Sequence, residues 1–174
     1  RGEEVFRATG TVEVTRDSLD ATADSLQYQQ GRERLFLQGH ATLVQARFDL
    51  RGEEILLVLP GDTIRLVEAR GAARLAGDDL ELDAPLIRMG LVDGRLESLW
   101  ATPFRPGQVF EEPTGSRVLP EELDSLALTR PRARATDFDM VADSLEVVAP
   151  NEVLERLFAT GRARAVSSGR DSLN

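Results

Sequence analysis

The sequence predicts an all-β fold in the form of an elongated antiparallel roll, and three observations support this prediction. Short stretches centred on a glycine or proline recur along the chain, side chains around these centres alternate between apolar and polar, and turn residues divide the chain at regular intervals. Short strands at regular spacing, separated by Gly, Asp and Pro turns, are typical of all-β proteins.

The central residue of each recurring stretch is a marker for one repeat. The markers are Gly10, Gly39, Gly71, Pro103, Pro131 and Gly161. They are separated by 29, 32, 32, 28 and 30 residues, a period of about thirty that indicates about six repeats.

Alternation with a period of two surrounds the markers. Around Gly39 the residues at even offsets are apolar, and those at odd offsets are polar apart from Phe36; around Gly161, Phe158 is the same exception. This is the periodicity of a strand with one buried face, because a helix would need a period near 3.6. Glycine inside a strand commonly marks a bulge or bend, so we expect each marker glycine to bend its strand. An ordinary strand break is the alternative.

Strand and turn signals alternate in order along the chain. Strands are expected over residues 1–14, 21–28, 33–48, 54–59, 63–76, 80–84, 86–92, 95–101, 126–135, 137–148 and 154–166. Turns are expected at residues 16–20, 29–32, 51–53, 60–62, 77–79, 93–94 and 149–151. The pair Asp93 and Gly94 is the clearest two-residue hairpin signal.

One stretch interrupts this order. Residues 102–122 hold four of the eight prolines together with two glycines, which predicts a loop inserted into a single domain of residues 1–174. A parallel β-solenoid competes with the antiparallel roll, but the short turns favour antiparallel pairing because parallel neighbours need longer crossovers.

Composition narrows the class of protein. The 174 residues and 41% hydrophobic content fit one domain with its own core, and a net charge of −9 argues against nucleic acid as a partner. The absence of cysteine excludes a disulfide framework and a thiolate metal site. The longest apolar run, residues 55–59, is far too short to span a bilayer as a helix. Because the chain opens near the end of one repeat and residues 170–173 look like the start of another, we expect a fragment of a longer protein.

Two stretches in a fixed order resemble a known family. Residues 23–28 (Ala-Asp-Ser-Leu-Gln-Tyr) followed by residues 35–43 around Gly39 are similar to the repeat of the OstA-like lipopolysaccharide-transport family, which includes periplasmic bridge proteins and the N-terminal domain of the outer-membrane translocon. Residues 142–145 followed by 154–163 carry the same order. Where family members often have Asn after the marker glycine, this chain has His40, Thr11, Ala72 and Arg162.

The resemblance implies a twisted, open, V-shaped β-jellyroll with an apolar groove. Such proteins reside in the periplasm, sometimes with a membrane attachment, hold the acyl chains of lipopolysaccharide or a related glycolipid, and join other jellyroll proteins of the bridge by pairing edge strands. The alternation itself predicts one continuous apolar interior. The predicted groove lining is Val12, Val14, Leu26, Tyr28, Leu35, Leu37, Ala41, Leu43, Phe48, Leu50, Leu66, Ala73, Leu75, Leu80, Leu82, Leu157, Ala163 and Ala165. The small residues Ala133, Ala135, Ala163 and Ala165 predict a wider space at the C-terminal end.

Four arginines at odd offsets predict a small basic strip. Arg132, Arg134, Arg162 and Arg164 project outward in this scheme and could bind phosphates of an anionic glycolipid. Solvated arginines balanced by nearby acids are the favoured alternative.

Catalytic chemistry has little support in the sequence. His40 is the only histidine and is expected at the surface, which argues against a histidine-based catalytic set. The word Asp-Ser-Leu begins at Asp17, Asp24, Asp124, Asp143 and Asp171. These acids could bind a divalent ion, but local turn chemistry is the favoured explanation, and no metal or cofactor is expected.

The sequence therefore suggests a non-enzymatic protein that binds lipid A acyl chains and passes lipopolysaccharide across the periplasm as part of a transport bridge for outer-membrane biogenesis. The main alternative is a closed structural roll that serves as an envelope scaffold or assembly adaptor. A solenoid enzyme acting on polysaccharide is a third possibility and requires clustered carboxylates on one face.

Overall fold

The computed structural model describes residues 4–16, 18–45, 47–103 and 130–167, and the described chain is all-β. Its strands are β1 Val5–Arg16, β2 Leu19–Gln29, β3 Arg34–Gln45, β4 Phe48–Val58, β5 Leu66–Gly77, β6 Glu81–Val92, β7 Arg95–Thr102, β8 Arg132–Arg134, β9 Phe138–Val141, β10 Ser144–Val148, β11 Arg156–Thr160 and β12 Arg164–Ser167. Three single turns of 3-10 helix, Gln30–Arg32, Pro60–Asp62 and Pro150–Glu152, connect strands at turns expected from the sequence. Asp93 and Gly94 form the expected tight hairpin turn, with φ of 51° and 76°.

All pairings in the sheet are antiparallel, so the antiparallel roll is confirmed over the solenoid. Neighbours follow chain order from β1 to β7 and continue through β10 to β11, while a second branch leaves β6 through β8 and β9 to β12. Each of the first six strands therefore lies beside its sequence neighbour, as expected for a stack of hairpins.

The marker glycines do bend their strands. The register shifts between Gln38 and Ala41 on β3. This step of three residues on β3 lies opposite a step of two residues on β4, so β3 carries one extra residue. Shifts at equivalent places occur in β1 and β5, beside Gly10 and Gly71. Such an insertion is a β-bulge, and it turns the strand sharply. Positive φ angles at the marker glycines make this turn accessible.

The bulges divide the sheet into two walls that meet at a corner. We call the part that carries Leu35 and Leu37, and that continues into β7, β10 and β11, the first wall. The part that carries Leu43 and Leu50, and that continues into β8, β9 and β12, is the second wall. Inward side chains of both walls belong to one hydrophobic core. The structure is thus a V whose interior is apolar.

Alanines line the corner of the V. Ala41, Ala73, Ala84, Ala133 and Ala142 lie next to the bend in their strands, and each is at most 3% exposed. Small side chains fit there because the two walls converge and leave no room for a longer one. Ala133 therefore belongs to a recurring corner feature, and the wider space expected at the C-terminal end stays a prediction.

The markers Pro103 and Pro131 belong to one corner. Strand β6 pairs with Thr102 through Leu86 and with Arg132 through Asp83, so β7 and β8 are two halves of a single bent strand. The described sheet therefore has five marker strands where the sequence suggested six. Most of the predicted loop at residues 102–122 lies outside the described residues, as do residues 123–129.

Several predicted boundaries are wrong for a related reason. The expected turn at residues 51–53 is the middle of β4, and the chain instead turns near Arg47. The expected break at Pro85 lies within β6. Gly52 and Pro85 lie at the corner in β4 and β6, which carry no bulge. The sequence signals that predicted a turn or a strand break therefore belong to a bend within a strand. The strands expected over 137–148 and 154–166 are each divided at the same corner.

The outer face of the first wall holds a buried carboxylate. The Glu68 side chain is 4% exposed and accepts hydrogen bonds from Arg70 Nε at 2.5 Å and Arg88 Nη2 at 2.7 Å. Burial by itself raises the pKa of Glu68, but the hydrogen bonds from Arg88 and Arg70 outweigh it and the net pKa is lowered. Glu68 therefore remains ionised between two half-exposed arginines.

Candidate functional site

The mouth of the V is the candidate site. It lies between two rims. The first-wall rim is built from the turns at residues 59–65, 93–95 and 149–155. The second-wall rim is built from the strand ends at Arg16, Leu19, Gln45 and Phe48 and from the turn at residues 77–80. Side chains from both rims line three clefts along the mouth. Such a concave, largely apolar opening is where ligands commonly bind.

The first cleft lies at the β1 end of the mouth. Its volume is about 290 Å³. Inward residues of both walls line it: Val14, Arg16, Leu19, Ala21, Tyr28, Leu35, Leu57, Leu59, Asp62 and Ile64.

The third cleft lies at the opposite end and has a volume of about 430 Å³. Its lining includes Phe48, Leu75, Leu80, Leu96, Leu99, Val147, Val153 and Leu154, with Arg47, Asp78 and Asp79 at the edge. Both end clefts are thus predominantly apolar with charged residues at the surface.

The central cleft, of about 530 Å³, is more polar. Its charged lining residues are Arg16, Asp62, Asp93, Arg95 and Glu152. Arg95 Nη1 donates to Asn151 Oδ1 at 3.3 Å, and Arg16 pairs with Asp62 across the mouth, so both cations have partners. The mouth therefore presents apolar ends and a polar middle.

Most of the residues predicted to line the groove are inside the V. Those that are fully buried are Leu26, Leu37, Ala41, Leu43, Phe48, Leu50, Ala73, Leu75 and Leu82. Those that are partly buried and pack against the core are Val12, Val14, Tyr28, Leu35, Leu80 and Leu157. The walls thus contact each other deep in the V, and only the mouth and the two ends are open. Whether these residues contact lipid stays a prediction.

Three residues of the predicted lining need correction. Leu66 pairs with Val58 and Gly90, whereas the inward position of β5 is its neighbour Val67, which is 0% exposed. Leu66 is therefore on the outer face, because a shift of one residue reverses the side of a strand. Ala163 and Ala165 are exposed at the open β12 end and are not part of the buried interior.

Several cleft residues lie outside the strands, where the alternation of apolar and polar residues does not apply. Leu59, Ile64, Val153 and Leu154 line the end clefts but belong to turns or to residues beside them. Apolar side chains in exposed turns are a signal that could have indicated the mouth, since turns are usually polar.

The predicted basic strip is largely engaged by carboxylates. Arg132 Nη2 lies 2.5 Å from Asp139 Oδ2, and the Arg132 side chain is only 9% exposed, so this residue does not project into solvent. Arg134 Nη2 donates to Asp83 Oδ2 at 2.6 Å, and Arg162 Nη2 lies 2.9 Å from Asp143 Oδ1. Arg164 is exposed at the edge. These pairs match the alternative of arginines balanced by acids, and phosphate binding by them stays a prediction.

The two described Asp-Ser-Leu aspartates lie at the corner and not in turns. The Asp24 side chain lies against Gly39, and a Cβ at that glycine would come within 2.8 Å of Asp24 Cβ. Asp143 stands in the same relation to Gly161, with a corresponding distance of 2.9 Å. The repeated word therefore pairs with the marker on the next strand. The members at 17, 124 and 171 lie outside the described residues.

Each of these aspartates also binds the side chain that follows the marker glycine. His40 Nδ1 lies 2.8 Å from Asp24 Oδ2, and Arg162 Nε donates to Asp143 Oδ1 at 3.1 Å. Arg130 Nη2, with a buried side chain, adds a 2.6 Å bond to Asp143. Burial raises the pKa of Asp143, but hydrogen bonds from Arg162 and Arg130 outweigh it, so the net pKa is lowered. These contacts stabilise the bend.

The single histidine allows a direct test of the corner contact. The hydrogen bond to Asp24, assisted by its charge, raises the pKa of His40 above the ordinary value of about 6.5. We expect NMR titration of the one imidazole to give a raised midpoint, and Asp24→Asn to return it to the ordinary range. The pair's stabilising contribution is present below the unfolded pKa and is lost as pH rises through the folded pKa. An unshifted midpoint in the unmodified protein would contradict the contact.

Two further features bear on the class of site. Among the described residues, no group of three or more His, Asp or Glu side chains is placed to hold a metal ion. No helix in the described ranges is long and apolar enough to cross a membrane.

Comparison with known proteins gives two matches. Residues 1–59, which span β1 to β4, match a family model described as the LptA/LptD N-terminal domain lipopolysaccharide transport protein. The fold matches the crystal structure of LptH, the LptA-homologous periplasmic component of the lipopolysaccharide transport device of Pseudomonas aeruginosa, with a TM-score of 0.62 and 10% identity. That alignment covers 85% of this chain and 93% of LptH. None of the curated proteins compared matches the sequence.

The two matches agree with the architecture. The family match covers the two hairpins that include the Asp-Ser-Leu word at Asp24, Gly39 and the corner contact between them, while the fold match extends over most of the sheet. The resemblance to the OstA-like lipopolysaccharide-transport family is therefore confirmed over residues 1–59, and the match to LptH shows a shared fold over most of the chain.

Proposed function

We propose that this chain binds the acyl chains of lipopolysaccharide or a related glycolipid at the mouth of the V and carries the lipid as part of a periplasmic transport bridge. The observation that carries the proposal is a pair of apolar clefts, of about 290 and 430 Å³, opening between the two rims. The family match and the shared fold support this role in transport.

Hydrophobic burial is sufficient to hold such a cargo. Each methylene removed from water contributes about 0.8 kcal/mol, so a few acyl chains can be held without a specific polar contact. In the first cleft Leu57, Leu59 and Ile64 provide apolar surface, and in the third Leu96 and Leu154 do so. The charged residues at the rim stay in water beside the cargo's headgroup.

The buried interior is also compatible with a competing function. Leu37, Leu43 and Leu50 are each 0% exposed, so the middle of the V is a packed core in this conformation. A closed structural roll that serves as a scaffold or adaptor would have the same core. The apolar clefts at the mouth support the transport function, since a closed scaffold needs no opening lined by apolar side chains.

The ends of the sheet support assembly with other jellyroll proteins. Within the described ranges, β1 pairs only with β2, while β11 and β12 pair only with β10 and β9. Inward-facing Phe6 on β1 is 64% exposed, so the apolar interior continues to this open edge. An edge strand with free backbone groups can extend another sheet, and we propose that such pairing continues the groove into a neighbouring protein.

Site-specific photocrosslinking tests lipid binding. A photoreactive residue at Ile64 or Leu154 should capture lipid A, because both line apolar clefts at the mouth. The matched control is Phe158, which is 48% exposed on the outer face of the first wall, compared with 38% for Leu154. We expect capture at both mouth positions at a level several-fold above that at Phe158.

The pattern of capture separates the functions. Equal capture at Leu154 and Phe158 would indicate nonspecific adsorption to exposed apolar side chains. Absence of capture at every position, with the fold intact by circular dichroism, would favour the scaffold function.

A further inference from the structure

Two polar contacts cross the mouth and join its rims. Gln45 Nε2, at the end of β3 on the second-wall rim, donates to the Gly94 carbonyl on the first-wall rim at 2.9 Å. The Arg16 guanidinium, at the end of β1, donates to the Asp62 carbonyl, and Arg16 Nη1 lies 3.8 Å from Asp62 Oδ1. In the described sheet β1 pairs with β2, and β3 with β2 and β4, whereas Asp62 lies between β4 and β5 and Gly94 between β6 and β7. The contacts therefore join the two rims and not neighbouring strands.

The positions of these contacts divide the mouth. Arg16 and Asp62 line both the first and the central cleft, while Gln45 and Gly94 line the central cleft. A lipid chain that moved from one apolar end of the mouth to the other would have to pass both contacts. The way over them is partly polar, because charged side chains line the central cleft together with Leu19, Ile64 and Leu91.

Both contacts across the mouth are weak. The Arg16 and Asp62 side chains are 42% and 80% exposed, so water competes for their ion pair. Gln45 Oε1 is buried, and the described chain provides it with no hydrogen-bond partner. An unsatisfied buried acceptor disfavours the conformation that buries it, so opening the rims would relieve that cost. The closed state is therefore held by two weak polar contacts, and one of them carries the cost of an unsatisfied buried acceptor.

We propose that Gln45 and Arg16 form a clasp across the mouth, which holds the two walls together when no cargo is bound and opens to admit a lipid with several acyl chains. The two hydrogen bonds favour the closed V, and burial of acyl chains between the parted walls favours the open one. Opening exposes Leu19, Leu91 and other inward side chains near the mouth to the incoming chains. The identity of the cargo rests on the proposed function, whereas the clasp itself does not.

Distance measurement between the rims tests the clasp without any lipid. The chain has no cysteine, so Ser18→Cys and Thr63→Cys place two spin labels selectively on opposite rims, at exposed positions beside the central cleft. In this background, Arg16→Ala with Gln45→Ala removes both contacts. Loss of one hydrogen bond raises the open population by about fivefold, which corresponds to about 1 kcal/mol. We expect a longer mean distance and a broader distribution than in the labelled parent.

The matched control removes the same residue types from contacts within one wall. Gln38 Nε2 donates to Glu54 Oε2 at 3.1 Å, and Arg51 Nη2 to Asp49 Oδ2 at 2.9 Å, both on the outer face. Gln38→Ala with Arg51→Ala should leave the distance between the rims unchanged. An unchanged distance in the clasp variant, or equal widening in the control, would overturn the proposal.

A second arm adds hexa-acylated lipid A to the labelled parent. The clasp predicts a shift toward the distance seen in the clasp variant, and that variant should take up lipid A faster than the parent. If the clasp variant widens but lipid A neither binds nor shifts the parent, the clasp stands and the proposed cargo is wrong. If lipid A binds while the parent distance stays the same, the clasp is not the gate for this lipid and the proposal fails.

Discussion

Leu50→Ala is expected to lower the free energy of unfolding by about 2–5 kcal/mol, measured by urea denaturation. Leu50 is 0% exposed on β4 and faces the inside of the V, so alanine removes buried apolar surface and leaves a cavity between the walls. The size of the loss reports whether the walls are packed together in solution.

Leu66→Ala is the control for this substitution. It removes the same atoms from the outer face of β5, where Leu66 is only partly buried and outside the core, so the expected loss is about 1 kcal/mol or less. A loss at Leu50 no greater than at Leu66 would mean that the walls stand apart and that solvent already fills the interior. That result would also remove the need for a clasp.

Gly39→Ala is expected to lower the free energy of unfolding by about 2–4 kcal/mol. Two costs add at this position. Gly39 has φ of +77°, which an alanine adopts only with strain, and an added Cβ would lie 2.8 Å from Asp24 Cβ and 2.9 Å from Asp24 Cγ. The aspartate would have to move away from His40, which breaks the corner contact.

Gly10→Ala separates the two costs. Gly10 occupies the same position in β1 with φ of +89°, but a Cβ there would meet nothing within 4 Å, so only the backbone strain of about 1–2 kcal/mol remains. Adding Asp24→Ala to Gly39→Ala removes the carboxylate atoms that approach the added Cβ and should recover part of the loss, while the contact with the Cβ of residue 24 at 2.8 Å remains. If Gly10→Ala and Gly39→Ala cost the same and Asp24→Ala gives no recovery, the close approach of Asp24 has no role in the bend.

A closed core and a transport function are compatible if the mouth can open. The core residues of the two walls come from different halves of the same strands, so the walls are joined covalently at a corner of alanines. A bend at that corner can part the rims while leaving the backbone hydrogen bonds within each wall intact. The corner glycines would then be the positions at which a substitution changes both stability and lipid uptake.

The sequence alone determined the features that depend on near neighbours. Alternation with a period of two specified the all-β class and the inward face of most strands, because adjacent residues in a strand point to opposite sides. The spacing of Asp24 and Gly39 with their neighbours was sufficient to indicate the family, and Asp93 and Gly94 specified their hairpin. These are local properties of a chain segment, so they are visible without knowledge of its partners.

Tertiary structure decided what depends on contacts between distant segments. Pro103 and Pro131 look like two repeats in sequence, yet both halves of their strand pair with β6, so the two form one corner. Leu66 lies one residue from the inward Val67, and only the pairing register distinguishes them. The partners of Arg132 and Arg134, and the contacts of Arg16 and Gln45 across the mouth, likewise follow from which strand ends meet when the sheet folds into a V. The bend at the corner sets the distance between the rims. No pattern within one thirty-residue repeat contains that information.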